Sequence, residues 1–571
     1  MMKGINASPG VAIGNVFLYV KEDLVVTPGK IEASAVDAEL KKLDDAIEKS
    51  RAELQALKEK TVKEIGEEEA EVFTAHMMFL DDPGYIGEAQ NKIKNELIVA
   101  EQALNEVTEG FVAIFGAMDD EYMKARATDC QDVADRILRH LLGLESADLS
   151  QVGENGIIVA VDLTPSDTAQ MNKDKVIGFA IDEGSRTSHS AIMARSLEVP
   201  AVVGLGNITS EVKGGEKIIV DGTDGNIIIN PTDEEIKEYE AKQEAYKQEQ
   251  AELAKLKDMP SETSDGHKVE LCANIGSPND LEGANKYGAD GVGLFRSEFL
   301  YMDSKEMPSE DVQFEAYKQV LEGMNGKPVI IRTLDIGGDK QLPYLPMEEE
   351  MNPFLGVRAV RLCFQNVDMF KTQLRALLRA SVYGNAHIMF PMISNVQEVR
   401  KAKGILEECK AELKEKGIEY DENIKVGIMI EIPSAAVTAD IIAKEVDFFS
   451  IGTNDLCQYS LAVDRQNQNL SELNQPLSPA IIRLVKNVID ASHKEGIFTG
   501  MCGEMAGDPT AALLLLGLGL DEFSMSAPSI LRAKKVVRSF TYEQAKEIAN
   551  EVLENAETQD EVKAILAKYL D

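Results

Sequence analysis

The chain has 571 residues, with 59 Lys and Arg against 98 Asp and Glu, a formal net charge of −39. That length exceeds what one hydrophobic core organises and predicts two to four domains. The acidity argues against a nucleic-acid or anionic-membrane binder, whose phosphates it would repel, and suits divalent cations, a basic partner or simply solvated helix faces. Six cysteines (Cys130, Cys272, Cys363, Cys409, Cys457, Cys502) stand without CxxC spacing, which predicts no disulfide framework, no zinc site and a reducing compartment. The first ten residues lack a signal-peptide core, and the longest apolar stretch, near 511–520, is too short to span a bilayer. The expectation is a soluble, cytoplasmic protein.

Residues 4–20 alternate like strands, broken at Pro9-Gly10. From about 34, Leu40, Leu43, Ile47, Leu54 and Leu57 recur at helical spacing, and helical texture persists to about 144 with breaks near Asp82-Pro83-Gly84 and Gly116. Short buried-strand candidates then appear at 156–160, 178–181 and 217–220. This predicts a small α/β unit, residues 1–20 and 145–231, carrying a helical insertion over 21–144. His76 within the insertion reads as a packing or partner-surface residue, and Glu67-Glu68-Glu69 as a solvated face with docking as the alternative. Residues 232–260 are rich in Glu, Lys and Gln and read as a solvated linker helix.

Beyond Pro260, strand candidates at 269–275, 291–295, 328–332, 387–392, 426–430, 447–451, 497–501 and 522–525 alternate with helices. Eight such units over 261–571 predict a (β/α)8 TIM barrel, with a doubly wound sheet as the competing fold. The fold class is therefore multidomain α/β. His387, inside an apolar strand, reads as a satisfied core histidine.

Barrel chemistry gathers where strands end. Arg296, Arg332, Glu431, Asn454, Asp455 and Cys502 all stand at such ends, and Arg465 lies ten residues past Asp455. Three arginines at one mouth would repel unless an anion joins them, and guanidinium forks match phosphate and carboxylate. Glu431 and Asp455 offer hard oxygens suited to Mg²⁺ shared with a substrate phosphate. Asn454 can orient an oxygen, and Cys502 is a weak acid near a reacting carbon. The alternatives are structural Arg–Glu pairs, a plain turn at Gly337-Gly338 and a merely packed Cys502. His189 lies in Gly184-Ser185-Arg186-Thr187-Ser188-His189-Ser190, ahead of a helix-forming stretch. An imidazole there can be a nucleophile, with a helix N-terminus favouring an anion. The alternative is a helix cap beside a surface histidine.

Taken together, the run from Gly184 to Arg195 resembles the phosphohistidine signature of phosphoenolpyruvate-utilising enzymes, and Asp447 to Leu456 with Gln458-Tyr459 resembles their barrel signature. The order of insert, phosphohistidine unit, linker and barrel, with no ATP-binding block ahead, resembles the sugar-phosphotransferase-system members of that family. The resemblance implies that His189 takes the phosphoryl group of phosphoenolpyruvate (PEP) and passes it to the phosphocarrier protein HPr, docked on the insertion. It implies PEP binding by Arg296, Arg332, Arg358, Asn454 and Arg465, Mg²⁺ held by Glu431 and Asp455, and Cys502 as the acid that protonates the methylene carbon. It also implies a homodimer formed through the barrel, and a phosphohistidine unit that swivels between its two partners. A dikinase or synthase fragment would need the missing ATP-binding domain, an inactive sensing protein would have lost arginines or Asp455, and a mutase or lyase would leave His189 without a role.

Overall fold

The computed structural model describes residues 1–570 apart from 20–23, 25, 65–66, 117–120, 145–148, 150–151, 165–166, 169–170, 173–174, 186–187, 303, 305, 339, 341, 343, 349 and 466, and apart from the side chains of 62–71, 116–125, 189, 196 and 468. The chain divides into two compact units, Met1–Glu249 and Gln250–Asp571.

Hydrophobic residues in short runs build the sheet of the first unit. Its strands are β1 (Met2–Lys3), β2 (Ile5–Ser8), β3 (Val11–Tyr19), β4 (Gly156–Ala160), β5 (Val176–Ile181), β6 (Ala201–Val203), β7 (Lys217–Asp221) and β8 (Asn226–Ile229). They lie in the order β1-β8-β7-β3-β4-β5-β6-β2. Strand alternation sends Ile157 and Val159 to one face and Ile158 and Ala160 to the other, so the sheet carries a core on each side. The expected strands are present; β6 and β8 were not anticipated, because three and four residues are too few to carry a period.

Between the parallel neighbours β3 and β4 the chain makes the helices α1 (Val36–Glu64), α2 (Glu67–Asp81), α3 (Ile86–Glu96), α4 (Ala100–Gly116) and α5 (Glu121–Leu142). Leu43, Ile47 and Leu54 from the helical stripe are buried in their common core, as the spacing predicts. His76 is buried there, with Nε2 3.2 Å from Asp129 Oδ1 and Nδ1 3.5 Å from Asp132 Oδ2. It serves helix packing. The helix α6 (His189–Ser196) lays Ala191 and Ala194 on the sheet beside Phe179 and Ile181. A further helix, α7 (Asp233–Ala254), is capped reciprocally by Thr232 and Glu235. It is less solvated than its composition suggests: Gln243 Nε2 donates to Val11 O at 2.7 Å, and Lys242 pairs with Asp221 and Asp224.

The second unit is a closed parallel barrel of β9 (Glu270–Ile275), β10 (Val292–Arg296), β11 (Pro328–Arg332), β12 (Asn385–Phe390), β13 (Lys425–Ile430), β14 (Phe448–Ile451), β15 (Phe498–Met501) and β16 (Glu522–Met525). Pairing of β16 with β9 closes the ring and rules out the doubly wound alternative. The fourth strand ends two residues earlier than its apolar run, because Met392 adopts φ +55° and leaves the sheet. Inside the barrel Leu294, Ile330, Met389, Met429, Phe448 and Cys502 form a separate apolar cluster. Gly427 leaves room for the Phe448 ring, which an added β-carbon would meet at 2.6 Å. Among the described residues no helix is long and apolar enough to cross a membrane.

Near the strand N-termini, Glu522 points inward between Gly293 and Gly500, where a β-carbon at either glycine would collide with its carboxyl. Burial, with Glu270 and Asp521 close by, pushes its pKa up to about 8. A carboxyl raised on folding contributes stability that is fully present below its unfolded value, near 4.3, and is lost as pH rises through 8. Glu522→Gln is therefore expected to flatten the decline of barrel stability between about pH 5 and pH 9, by on the order of a few kcal/mol at the alkaline end. Denaturant unfolding at several pH values measures this; parallel wild-type and variant curves would refute it.

Candidate active site

Parallel strands deliver their C-terminal ends to one mouth. Arg296 and Arg332 are register partners at the ends of β10 and β11. Ile430, Ile451 and Met501 are level across β13, β14 and β15, so Glu431, Gly452 and Cys502 follow at the same height. The helix α8 (Thr453–Leu461) starts there and carries Asn454 and Asp455 in its first turn.

The arginines do not await an external anion, as the sequence alone suggests. Arg332 Nη2 donates to Glu298 Oε1 at 2.6 Å, and its Nη1 lies 3.0 Å from Asp335 Oδ2. Arg358 forks onto Asp335 through Nε (2.9 Å) and Nη2 (3.1 Å) and onto Asp455 through Nη1 (3.1 Å) and Nη2 (3.2 Å). Lys340 Nζ adds 2.9 Å to Glu298 Oε1. All four partners Arg332, Arg358, Glu298 and Asp335 are at most 6 % exposed. Burial alone would neutralise Asp335, but the charges of Arg332, Arg358 and Lys340 hold its carboxyl well below the usual range. The same opposition, burial against Glu298 and Asp335, leaves the Arg332 guanidinium pKa raised.

The loop after β11 makes this possible. Gly337 and Gly338 adopt φ +112° and +70°. A β-carbon at Gly337 would sit 2.7 Å from Val357 O and 2.9 Å from Arg358 Cα, so the glycine pair admits the Arg358 segment and is more than a turn. Ala359 N then donates to Ile336 O at 2.9 Å. Ala359 itself is held at φ 54°, ψ −122°, a conformation costing on the order of 1–3 kcal/mol for a residue with a side chain.

Glu431 Oε1 accepts from Met392 N at 2.6 Å, while Oε2 is buried without a hydrogen-bond partner among the described residues. Its burial, with Asp455 and Asp335 nearby, raises its pKa to about 8. Arg332 Nε is likewise buried and unpartnered. Arg296 lies over the Phe299 ring at 4.6 Å, and partial enclosure plus the like charge of Arg332 lowers its pKa. Cys502 is buried against the apolar barrel interior, which pushes its thiol up to about 12 although Arg332 opposes the shift. Asn454 Oδ1 lies 3.4 Å from Glu504 N, just past Cys502. Arg465 is tied in by its main chain, whose N–H donates to Gln458 Oε1 at 3.1 Å.

Arg296, Arg332, Arg358, Glu431, Asp455 and Cys502 thus feel one another's charge at one mouth. His189 belongs to the other unit, as the first residue of α6. Its ring lies outside the described residues, as do Arg186 and Thr187. Upstream, Gly184 turns at φ +97° and Ser188 Oγ donates to Ser185 O at 2.9 Å. Glu298, Asp335 and Lys340 escaped the sequence reading. Their signal was their position, two, three and eight residues beyond strand-end arginines, where counter-charges are required. Asp335→Asn is expected to destabilise the barrel by about 3–5 kcal/mol, since it removes the carboxylate shared by two buried guanidinium ions and leaves each with a single acidic partner, Glu298 for Arg332 and Asp455 for Arg358. Urea unfolding checks this; a loss below about 1 kcal/mol would mean that Glu298 already suffices for Arg332 and Asp455 for Arg358.

Family models described as PEP-utilising enzyme match this chain in its N-terminal part (residues 3–126), its mobile domain (152–225) and its PEP-binding domain (250–542). The phosphoenolpyruvate-protein phosphotransferase of Staphylococcus carnosus (strain TM300) is 55% identical over 100% of this chain and 99% of its own length. Those of Listeria monocytogenes serovar 1/2a and Enterococcus faecalis are 55% and 54% identical, again over 100% of this chain and 99% of theirs. With the barrel closed and its charged mouth assembled, these likenesses place the chain in the PEP-utilising enzyme family, in the branch of the phosphoenolpyruvate-protein phosphotransferases.

Proposed function

We propose that the barrel mouth binds PEP, that His189 removes its phosphoryl group, and that the phosphohistidine then serves the carrier protein HPr docked on the helices α1–α5. The activity is that of a phosphoenolpyruvate-protein phosphotransferase, releasing pyruvate. The observation that carries the reading is the buried Arg332–Asp335–Arg358 array with its unpartnered Arg332 Nε. A guanidinium fixed by carboxylates keeps its charge and its direction while donors remain for a substrate oxyanion.

Arg296, Arg332, Arg358, Arg465 and Asn454 bind the phosphate and carboxylate. The ring nitrogen of His189 attacks phosphorus as the bond to the enol oxygen breaks, a reaction governed by positioning and charge neutralisation. The enolate collapses to a ketone as its methylene carbon takes the Cys502 proton. A thiol pushed up to about 12 is fully protonated at neutral pH, as an acid must be.

Glu431 and Asp455 would hold Mg²⁺. The fit rests on the unpartnered Glu431 Oε2, whose raised pKa marks a carboxylate short of positive charge. Asp455 is shared with Arg358, so substrate oxygens complete the set, as Mg²⁺ sites commonly require. The ion, when bound, neutralises charge on the transferring phosphoryl group. A homodimer through the barrel, a cytoplasmic location and a swivelling phosphohistidine unit complete the reading.

Incubation with [³²P]PEP and Mg²⁺ should give an acid-labile, base-stable label that moves to added HPr, and His189→Ala should abolish both label and transfer. Labelling of His189→Ala at the wild-type level would end the proposal. Cys502→Ala should retain PEP binding but slow pyruvate release at least about a hundredfold, the scale of a missing general acid. Unchanged turnover would remove Cys502 from the reaction.

A further inference from the structure

The opposite end of the barrel holds a second recess. About 590 Å³ in volume, it opens among the strand N-termini and falls in the range of small-molecule sites. Lys268, Glu270 and Lys425 are exposed near its lining, and Glu522, Phe498 and His387 line it more deeply. Glu270 and Glu522 are register partners on the neighbouring parallel strands β9 and β16. Two carboxyls at one height therefore face one space; Glu270, accessible at the mouth, still has its pKa raised by the protein packed around it and by Asp290 and Asp521, with Lys425 opposing the shift.

Glu522 is 1 % exposed, yet neither carboxyl oxygen has an N–H or O–H donor among the described residues, and only the weak Cys272 thiol lies close enough to share a proton with it. His387 is 4 % exposed; its Nε2 meets Asn385 Oδ1 at 3.1 Å, while Nδ1 is unpartnered. The expected satisfied core histidine is thus only half satisfied, and burial pulls its pKa down to about 4, so it is neutral. The other two acids of the lining are already used. Asp290 accepts from Ser261 Oγ and Leu271 N, and Asp521 from Thr499 N beside His493. Buried carboxyl oxygens left unpaired cost free energy that a bound donor would recover. Two glycines, Gly293 and Gly500, leave the space that the Glu522 carboxyl occupies, so this placement is built into the strands.

We propose that this recess binds a small organic ammonium ion, with its N–H donors on Glu522 and Glu270 and its apolar stem against Phe498, Val292 and Ile330. A metal ion is the poorer occupant: among the described residues no group of three or more His, Cys, Asp or Glu is disposed to hold one. Phe498 stacks on Phe448 at 5.2 Å and stiffens the apolar wall. Lys268 and Lys425 disfavour a second positive charge near the mouth, which selects a monoamine.

The test is ligand-observed saturation-transfer NMR on the full-length protein, with n-butylammonium as probe and n-butanol as the control of equal shape. Saturable binding of the amine, absent for the alcohol and undisturbed by PEP, is expected. Glu522→Gln should weaken it about tenfold or more, the effect of losing a charge-assisted hydrogen bond. Glu270→Gln, an exposed change that leaves the core intact, should weaken it in the same direction. No saturable signal, equal binding of the alcohol, displacement by PEP, or full binding by both variants would each overturn the assignment.

Discussion

One carboxylate, Asp335, holds the barrel mouth together. It receives Arg332 on one side and a forked Arg358 on the other, and it lies beyond the reach of solvent. Two guanidinium ions cannot share a buried mouth without such a counter-charge, because desolvation and repulsion both oppose them. The glycines at 337 and 338, the strained Ala359 and the close approach of the Arg358 segment are all consequences of bringing Asp335 between them. On the proposed reading, a substrate would meet cations whose positions are already fixed, and no reorganisation would be required when charge moves in the reaction.

Charge is distributed deliberately between the two carboxylates nearest α8. Asp455 is matched by Arg358, whereas Glu431 has one oxygen on Met392 N and the other unmet. A single site thus contains a saturated acid and an unsaturated one. The first anchors Arg358, and the second would, on the proposed reading, accept the positive charge that arrives with the substrate.

Much of this was legible in the sequence. Eight strands could be counted because each is a short apolar run bounded by polar or glycine residues, and the strand-end position of Arg296, Arg332, Glu431, Asp455 and Cys502 follows from that count alone. Arg358 could be found only by resemblance, since it stands on no strand and reaches the mouth through a loop stitched by Ala359 N to Ile336 O. Glu298 and Asp335 stand in plain view beside the arginines, but linear order does not show which acid turns toward which base. The recess at the strand N-termini has no linear signature: its residues come from β9, β10, β11, β12, β13, β15 and β16, and only ring closure unites them.

The apolar cluster of Leu294, Ile330, Met389, Met429 and Phe448 fills the cylinder beneath Cys502. On the proposed reading, an enol at the mouth would meet a proton source rooted on one side, above a dry plug that supplies none. A planar carbon attacked from a single side acquires its third hydrogen with a fixed handedness. A methyl group made chiral by isotopes of hydrogen would therefore carry, in its configuration, a record of how this barrel is packed.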